Sequence, residues 1–370
     1  MDTKYDAIII GGGVIGCAIS RELSGRGLHV ALLERGQPGA ETSRVSVGCT
    51  VGGSAEEPRG QIEFLQASKN IYPQLEKELM DETGINIENI CRGTIVMAFD
   101  EIDEQSQTDT YNEQTAFGLE VKRLTQSEIL NLEPAISPQV RSGLFYKDDG
   151  QVNNNKLVRA LLRSALLRGT ELHHATAQSL VFDGEKVIGV EILSGDKLFS
   201  RYVINAAGSW ADYIEGMPKT GIVPAKGQTV IMHSFARDTS FRHVVMTPST
   251  YIVPRPDGEL RLGSTVEFVG FDSRGTVGAV QELLAGAIQM APAIANCTFG
   301  EVLVGFRPCP PDFLPIIGPS TRHEGLIFAT GHHRYGITLA PLTAKIVSSV
   351  ISSEAPPFNY DRYKPNRFNL

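Results

Sequence analysis

The hydrophobic pattern changes period along the chain. Residues 5–10, YDAIII, are an apolar run rich in β-branched side chains, the signature of a strand buried on both faces of a parallel sheet. After GGGVIG, the stretch CAISRELSGRG carries its apolar residues at helical spacing, and HVALLE follows as a second strand. Two later runs, YVIN within LFSRYVINAAGSWAD (198–212) and LIFAT within LIFATGHHRYGIT (326–338), are short strands that stop at small residues, the second leading into an apolar helix that ends near Ile351. Between 220 and 267 the period becomes two: TVIM, TYIVPR and ELRLGST alternate, and RPDGE between the last two predicts an antiparallel hairpin. Residues 61–83 and 276–293 read as helices packed around that second sheet, and the polar tail after Pro356 reads as extended. The fold class expected is therefore α/β plus antiparallel sheet, with a Rossmann-like domain and a second domain built on a large antiparallel sheet.

Composition narrows the function. With 370 residues, 42% of them apolar, the chain exceeds what one core usually serves, which favours two domains. A net charge of −8 with scattered Lys and Arg argues against nucleic acid as a partner. Five cysteines, at 17, 49, 91, 297 and 309, form an odd set without CxxC spacing or a nearby His cluster. That predicts neither a disulfide framework nor a metal site, and a reducing, cytoplasmic setting. No apolar stretch approaches the ~20 residues of a membrane-spanning helix, so no integral membrane segment is expected.

The candidate chemistry begins at Gly11, Gly13 and Gly16, which form G-x-G-x-x-G between a strand and a helix. The first permits a tight turn, the second lets backbone approach a pyrophosphate, and the third lets helix and strand pack closely, while the helix N-terminus offers free N–H groups. Glu34, at the end of the second strand, is placed to accept a hydrogen bond from a ribose hydroxyl. The pattern alone does not separate NAD from FAD. Near the other end, GFRPCPPDFLPIIG sets Arg307 among prolines and ATGHHRYG sets Arg334 in a Gly-bounded turn. On pattern alone Arg307 could pair with Asp312, Arg334 could serve a helix terminus, and Tyr251 could be a core aromatic. Neither spacing nor partner marks His332 or His333 as a catalytic base.

Taken together, the fingerprint with Glu34, the NAAGSWAD stretch, and the pair GFRP with ATGHHRYG resemble the FAD-dependent D-amino acid oxidase superfamily. Within it, DDGQVNNNKLVRALLRSA and STYIVPRPDGELRLGST are most similar to glycine oxidases of the thiamin biosynthesis type, whereas ETSRVSVGCTVGG departs from the family's usual alanine-rich segment around Ser46–Cys49. The resemblance implies a Rossmann-like FAD-binding domain of the glutathione reductase type 2 class, assembled from 1–85, 145–215 and 305–352. It implies a substrate domain from 86–144 and 216–304, with 353–370 as a C-terminal tail. Loops 52–60, 100–115 and 233–250 would set pocket width.

The same resemblance implies FAD held by Gly11, Gly13, Val14, Ile15, Gly16, Glu34, Arg35, Thr42 and Ser43. Later segments would add Ala207, Gly208, Gly331, His333, Arg334, Tyr335, Gly336, Ile337 and Thr338. Cys309 is out of register with the attachment cysteine of sarcosine oxidase relatives, so the FAD is expected to be noncovalent. Arg307, Tyr251 and Arg334 would bind and orient a substrate carboxylate. The implied reaction is oxidative deamination of glycine, sarcosine, D-alanine or D-proline by hydride transfer from Cα to the flavin, giving an imine or keto acid, ammonia and H2O2. The expected partners are thus a small amino acid or amine, O2 or another electron acceptor, and a possible second copy of the chain. The alternatives are a dehydrogenase that passes electrons to a quinone or partner subunit, and a noncatalytic flavin-binding subunit.

Overall fold

The strand Tyr5–Ile10 runs through the middle of a sheet and is covered on both sides because its side chains alternate between two cores. Ala7 and Ile9 face a cluster with Val14, Ile19 and Leu339, whereas Tyr5, Ile8 and Ile10 face one with Leu180, Val190 and Phe328. The computed structural model describes residues 4–55, 57, 59–234 and 240–370. In this first sheet Tyr5–Ile10 pairs in parallel with Val30–Glu34 and Lys197–Asn205, the latter pairs in parallel with Leu326–Thr330, and Glu171–His174 extends the far side. Helices Val14–Gly25, Asn154–Leu167 and Gly336–Ser352 cover one face.

The second sheet runs in the order Thr298–Cys309, Val223–His233, Glu259–Gly263, Tyr251–Pro254, Val244–Met246, Thr94–Ala98, Ser142–Tyr146, Lys122–Thr125. All its pairings are antiparallel except Val244–Met246 with Thr94–Ala98. The hairpin over RPDGE forms, with Tyr251 opposite Gly263. Helix Val277–Met290 packs Leu283, Ala287 and Met290 onto Leu260 and Leu262 of this sheet.

Several expectations need correction. The stretch 61–83 is two helices, Arg59–Lys69 and Tyr72–Thr83, the second started by Pro73 and ended by Gly84 at φ 69°. They pack Phe64, Leu65, Leu75 and Leu79 into the core of the parallel sheet, not onto the antiparallel one. Residues 100–115 are not a loop: Asp100 caps helix Glu101–Ala116 by accepting from Asp103 N. Of the other two expected loops, positions 56, 58 and 235–239 lie outside the described residues. The tail is packed rather than extended, because its aromatic residues offset its polar count. Tyr363 stacks on Phe64 with ring centroids 4.2 Å apart, and Leu370 is buried. The expected boundaries at 145 and 305 each fall inside a strand of the second sheet, Ser142–Tyr146 and Thr298–Cys309.

Candidate active site

The turn after Tyr5–Ile10 is built for close approach. Gly11 has φ +107°, a side chain there would run into the backbone of Ala206, and a Cβ on Gly16 would overlap the Gly11 carbonyl. Gly13 stands at the N-cap of helix Val14–Gly25 without a side-chain cap, and Ser43 Oγ accepts from Val14 N at 3.0 Å. Glu34 is braced by backbone, accepting from Gly12 N and Gly36 N, both at 2.8 Å. The facing wall comes from Ala206–Gly208, beyond strand Lys197–Asn205, and from the turn Gly331–Tyr335, which opens helix Gly336–Ser352.

These pieces wall a single cavity of about 660 Å³. Of the site residues expected from sequence, Gly11, Gly13, Val14, Ile15, Glu34, Arg35, Thr42, Ser43, Ala207, Gly208, Gly331, His333, Arg334, Tyr335, Gly336 and Ile337 line it, and so do Tyr251 and Arg307. Gly16 and Thr338 do not. Gly16 serves the strand–helix contact, and Thr338 Oγ1 bridges the second helix to Val51 N and Cys49 O, at 3.3 and 3.2 Å.

Arg307 projects from strand Thr298–Cys309 over Gly227 on the neighbouring strand, where any Cβ would overlap its guanidinium. Its Nη1 donates to Thr265 O at 3.0 Å and its Nη2 donates to Ser264 Oγ, which also bonds the Tyr251 hydroxyl at 2.8 Å. Burial pulls the guanidinium below its usual value, while the Tyr251 oxygen opposes that shift. No carboxylate among the described residues pairs with Arg307. The Asp312 alternative fails because Asp312 pairs with Arg367 at 2.6 Å. Arg334 lines the mouth of the same cavity, likewise without an ion pair among the described residues.

His332 and His333 are both pushed down to about 3, by burial for His332 and by burial plus the Arg334 and Arg307 charges for His333. His332 Nε2 meets Thr343 Oγ1 at 3.0 Å. His333 takes a left-handed φ of 46°, and its buried Nε2 has no hydrogen-bond partner among the described residues. Cys309 is buried, does not line the cavity, and donates weakly to Pro310 O. The segment after Thr42–Val45 is pinned from the second sheet: Arg261 donates to Ser46 O at 2.9 Å and Arg255 to Val47 O at 2.7 Å.

Sequence reasoning missed Ser264, Trp210 and Thr247–Ser249, which line this cavity, and Thr265, whose carbonyl holds Arg307. Ser264 was within reach of the hairpin register, since Tyr251 opposite Gly263 sets the next residue beside the tyrosine hydroxyl. Trp210 stands inside NAAGSWAD, where only the small residues drew notice, and Thr265 and Thr247–Ser249 sit on connections without a pattern of their own.

A glycine turn, two helix N-termini, a braced carboxylate at a strand end and an orphaned imidazole nitrogen suit FAD, whose pyrophosphate and ribose need those donors and acceptors. The model of the FAD dependent oxidoreductase family matches residues 6–350. Glycine oxidase of Pseudomonas aeruginosa is 31% identical, covering 97% of this chain and 98% of that protein. The bifunctional protein ThiO/ThiG of Trichormus variabilis is 33% identical over 97% of this chain, which spans only 55% of that longer protein. The crystal structure of glycine oxidase from Geobacillus kaustophilus superposes with a TM-score of 0.92 at 28% identity, covering 97% of this chain and 98% of that one. Cradle, superposition and sequence thus agree along nearly the whole length, and the chain belongs to the FAD dependent oxidoreductase family, with FAD as its cofactor.

Proposed function

We propose that this protein oxidises the amine of a small amino acid, glycine or a close neighbour such as sarcosine, D-alanine or D-proline, with noncovalently held FAD. The observation that carries this is Arg307: a guanidinium fixed by Ser264 and Thr265, with no carboxylate partner among the described residues, in the cavity that holds the dinucleotide cradle. Of its five N–H donors, two are committed to those partners, which leaves donors for a substrate carboxylate in the two-point geometry that guanidinium groups favour. Tyr251 adds a hydroxyl beside the same anion, and Arg334 adds positive charge at the mouth. FAD, when bound, supplies the two-electron acceptor for the hydride leaving the substrate Cα.

The rest of the task is orientation. Holding the carboxylate at Arg307 sets the direction in which Cα and the amine point, and the cavity walls exclude water from them. No protein base is required if the amine arrives neutral. The two histidines suit that requirement, because burial keeps both uncharged at neutral pH and neither competes as a cation. Cys309, buried away from the cavity, supports a noncovalent cofactor.

A dehydrogenase reading differs only in what reoxidises the flavin. One experiment tests both. The yellow protein is mixed anaerobically with glycine, sarcosine, D-alanine and D-proline in turn, and flavin absorbance near ~450 nm is followed. Bleaching by one of them supports amino acid oxidation; no bleaching by any of them sinks it. Admitting air then separates the readings, since stoichiometric peroxide marks an oxidase and turnover only with an artificial acceptor marks a dehydrogenase.

A further inference from the structure

The partners of Arg307 do not sit on a strand. Ser264 and Thr265 open a connection, residues 264–276, whose only regular pairing among the described residues is the bridge between Glu267 and Lys226. Gln228 ties it at both ends, donating from N to Thr265 Oγ1 at 3.1 Å and accepting from Thr276 N at 2.8 Å. Between those ties Val266 lines the cavity and Glu267 is held by Lys226 and Gln228; beyond Glu267, Phe268 and Val269 are exposed and Phe271 is the aromatic that turns inward.

What Phe271 meets is the cofactor wall. Its ring stacks on Trp210 at 4.9 Å and 20°, and stands edge-on to Phe306 at 5.2 Å. Trp210 lies in the turn Gly208–Tyr213, lines the dinucleotide cavity and carries the Arg35 guanidinium 4.0 Å above its ring. Phe306 precedes Arg307, and its carbonyl accepts from Thr42 Oγ1 and Ser209 Oγ at 2.5 and 2.7 Å. The clamp is therefore joined to the cradle by two routes. One runs through the backbone at Phe306, and the other through the aromatic stack.

We propose that Phe271 is a positioning residue, which through Trp210 holds the 264–276 connection, and with it the Ser264 and Thr265 partners of Arg307, in register with the cofactor wall. This rests on the reading of Arg307 as the carboxylate clamp. Connections of this length without secondary structure are mobile unless something fastens them, and offset aromatic pairs are effective fasteners. Removing the ring frees the stretch beyond Glu267, loosens the Ser264 and Thr265 end with it and leaves Arg307 to be ordered by the incoming carboxylate, which weakens binding and spares the chemical step. Because coupling between sites is reciprocal, carboxylate binding also tightens the wall at Trp210.

Acetate, an unreactive carboxylate, is titrated into the oxidised holoenzyme and followed by perturbation of the flavin spectrum and by the emission of Trp210, the sequence's single tryptophan. In the wild type both signals should move with one midpoint. Phe271→Ala should keep its FAD, raise the acetate midpoint and the substrate KM about three- to tenfold with kcat little changed, and lose the Trp210 response. Phe271→Tyr should restore all three. Phe271→Leu keeps apolar bulk without a ring face and should behave as the alanine variant does, which keeps the test decisive if that variant folds poorly. Acetate binding lost in Arg307→Ala but unchanged in Phe271→Ala and Phe271→Leu overturns the positioning role alone. Acetate binding equally to wild type and Arg307→Ala overturns the clamp reading and this inference with it.

Discussion

Asp312 stands close to Arg307 in sequence, yet its ion pair is with Arg367 of the C-terminal tail, at 2.6 Å. Arg367 also donates to the carbonyls of Leu314 and Pro315, at 2.7 and 2.9 Å, so the tail ties down the turn that follows the clamp strand. One acidic residue is thereby kept away from a guanidinium whose use depends on having no internal carboxylate. Arg367→Ala should lower the thermal midpoint by a few degrees, as losing a partly exposed ion pair and its carbonyl contacts costs about 1–2 kcal/mol. Substrate KM should stay near the wild-type value. A large KM change without a change in stability would mean that the tail acts on the site directly.

Arg307→Ala should lower kcat/KM by about 10²- to 10⁴-fold, the loss expected when a two-point charge-assisted contact disappears, while the purified protein stays yellow. Arg307→Lys should recover only part of that, because an ammonium cannot reproduce the planar fork. Unchanged kinetics in the alanine variant would remove Arg307 from the site.

Two glycine substitutions separate the cradle from the clamp. A methyl at Gly16 overlaps the Gly11 carbonyl where helix meets strand, so Gly16→Ala should yield protein with little FAD. A methyl at Gly227 overlaps the Arg307 guanidinium instead, so Gly227→Ala should purify with FAD and show a raised KM. Flavin content per chain and KM, measured on the same preparations, check both; a Gly227→Ala protein with normal KM would contradict the packing.

The pH dependence of activity should follow the substrate. With His332 and His333 at about 3, neither titrates near neutrality, so kcat/KM should rise with pH toward the deprotonation of the substrate amine. Comparing substrates of different amine pKa checks this, because the inflection should move with the substrate. An inflection fixed across substrates would point to a group on the protein.

Stability, unlike activity, should report these histidines. Their folded values lie below the ordinary value of about 6.5, so the unfolded chain takes up these protons first as pH falls. Stability is complete above about 6.5 and is lost on the way down toward 3, at up to about 1.4 kcal/mol per pH unit for each buried histidine. Urea midpoints between pH 6.5 and 4.5 lie above the range of the paired carboxylates, and His332→Asn should flatten them. A wild-type profile that is level over that interval would show that the rings are solvated.

Local chemistry made the cradle legible: Gly11, Gly13 and Gly16 between a strand and a helix, and Glu34 at the next strand end, each have a steric or hydrogen-bonding reason contained in a few neighbouring residues. Arg307 and Tyr251 came from resemblance, since nothing local distinguishes a clamp arginine from one paired across a turn. What stayed hidden depended on distant partners. The tail looks polar residue by residue, and only the stack of Tyr363 on Phe64 shows where it goes. Residues 101–116 lack a strong apolar stripe, and their helix is secured by the Asp100 cap and by Gln107 and Gln114, which donate to Val96 O and Gly53 O at 3.0 and 3.2 Å. The role of Ser264 requires the hairpin register and the Arg307 strand together.

The parallel sheet also imposes an order on synthesis. Its central strand is made first, but the neighbour of Lys197–Asn205 that completes the cofactor wall is Leu326–Thr330, and the turn that faces the glycine cradle follows it. A ribosome has therefore translated both sheets before the cavity has its second wall. Nascent chains should leave it colourless, and FAD capture becomes the event that marks a finished molecule.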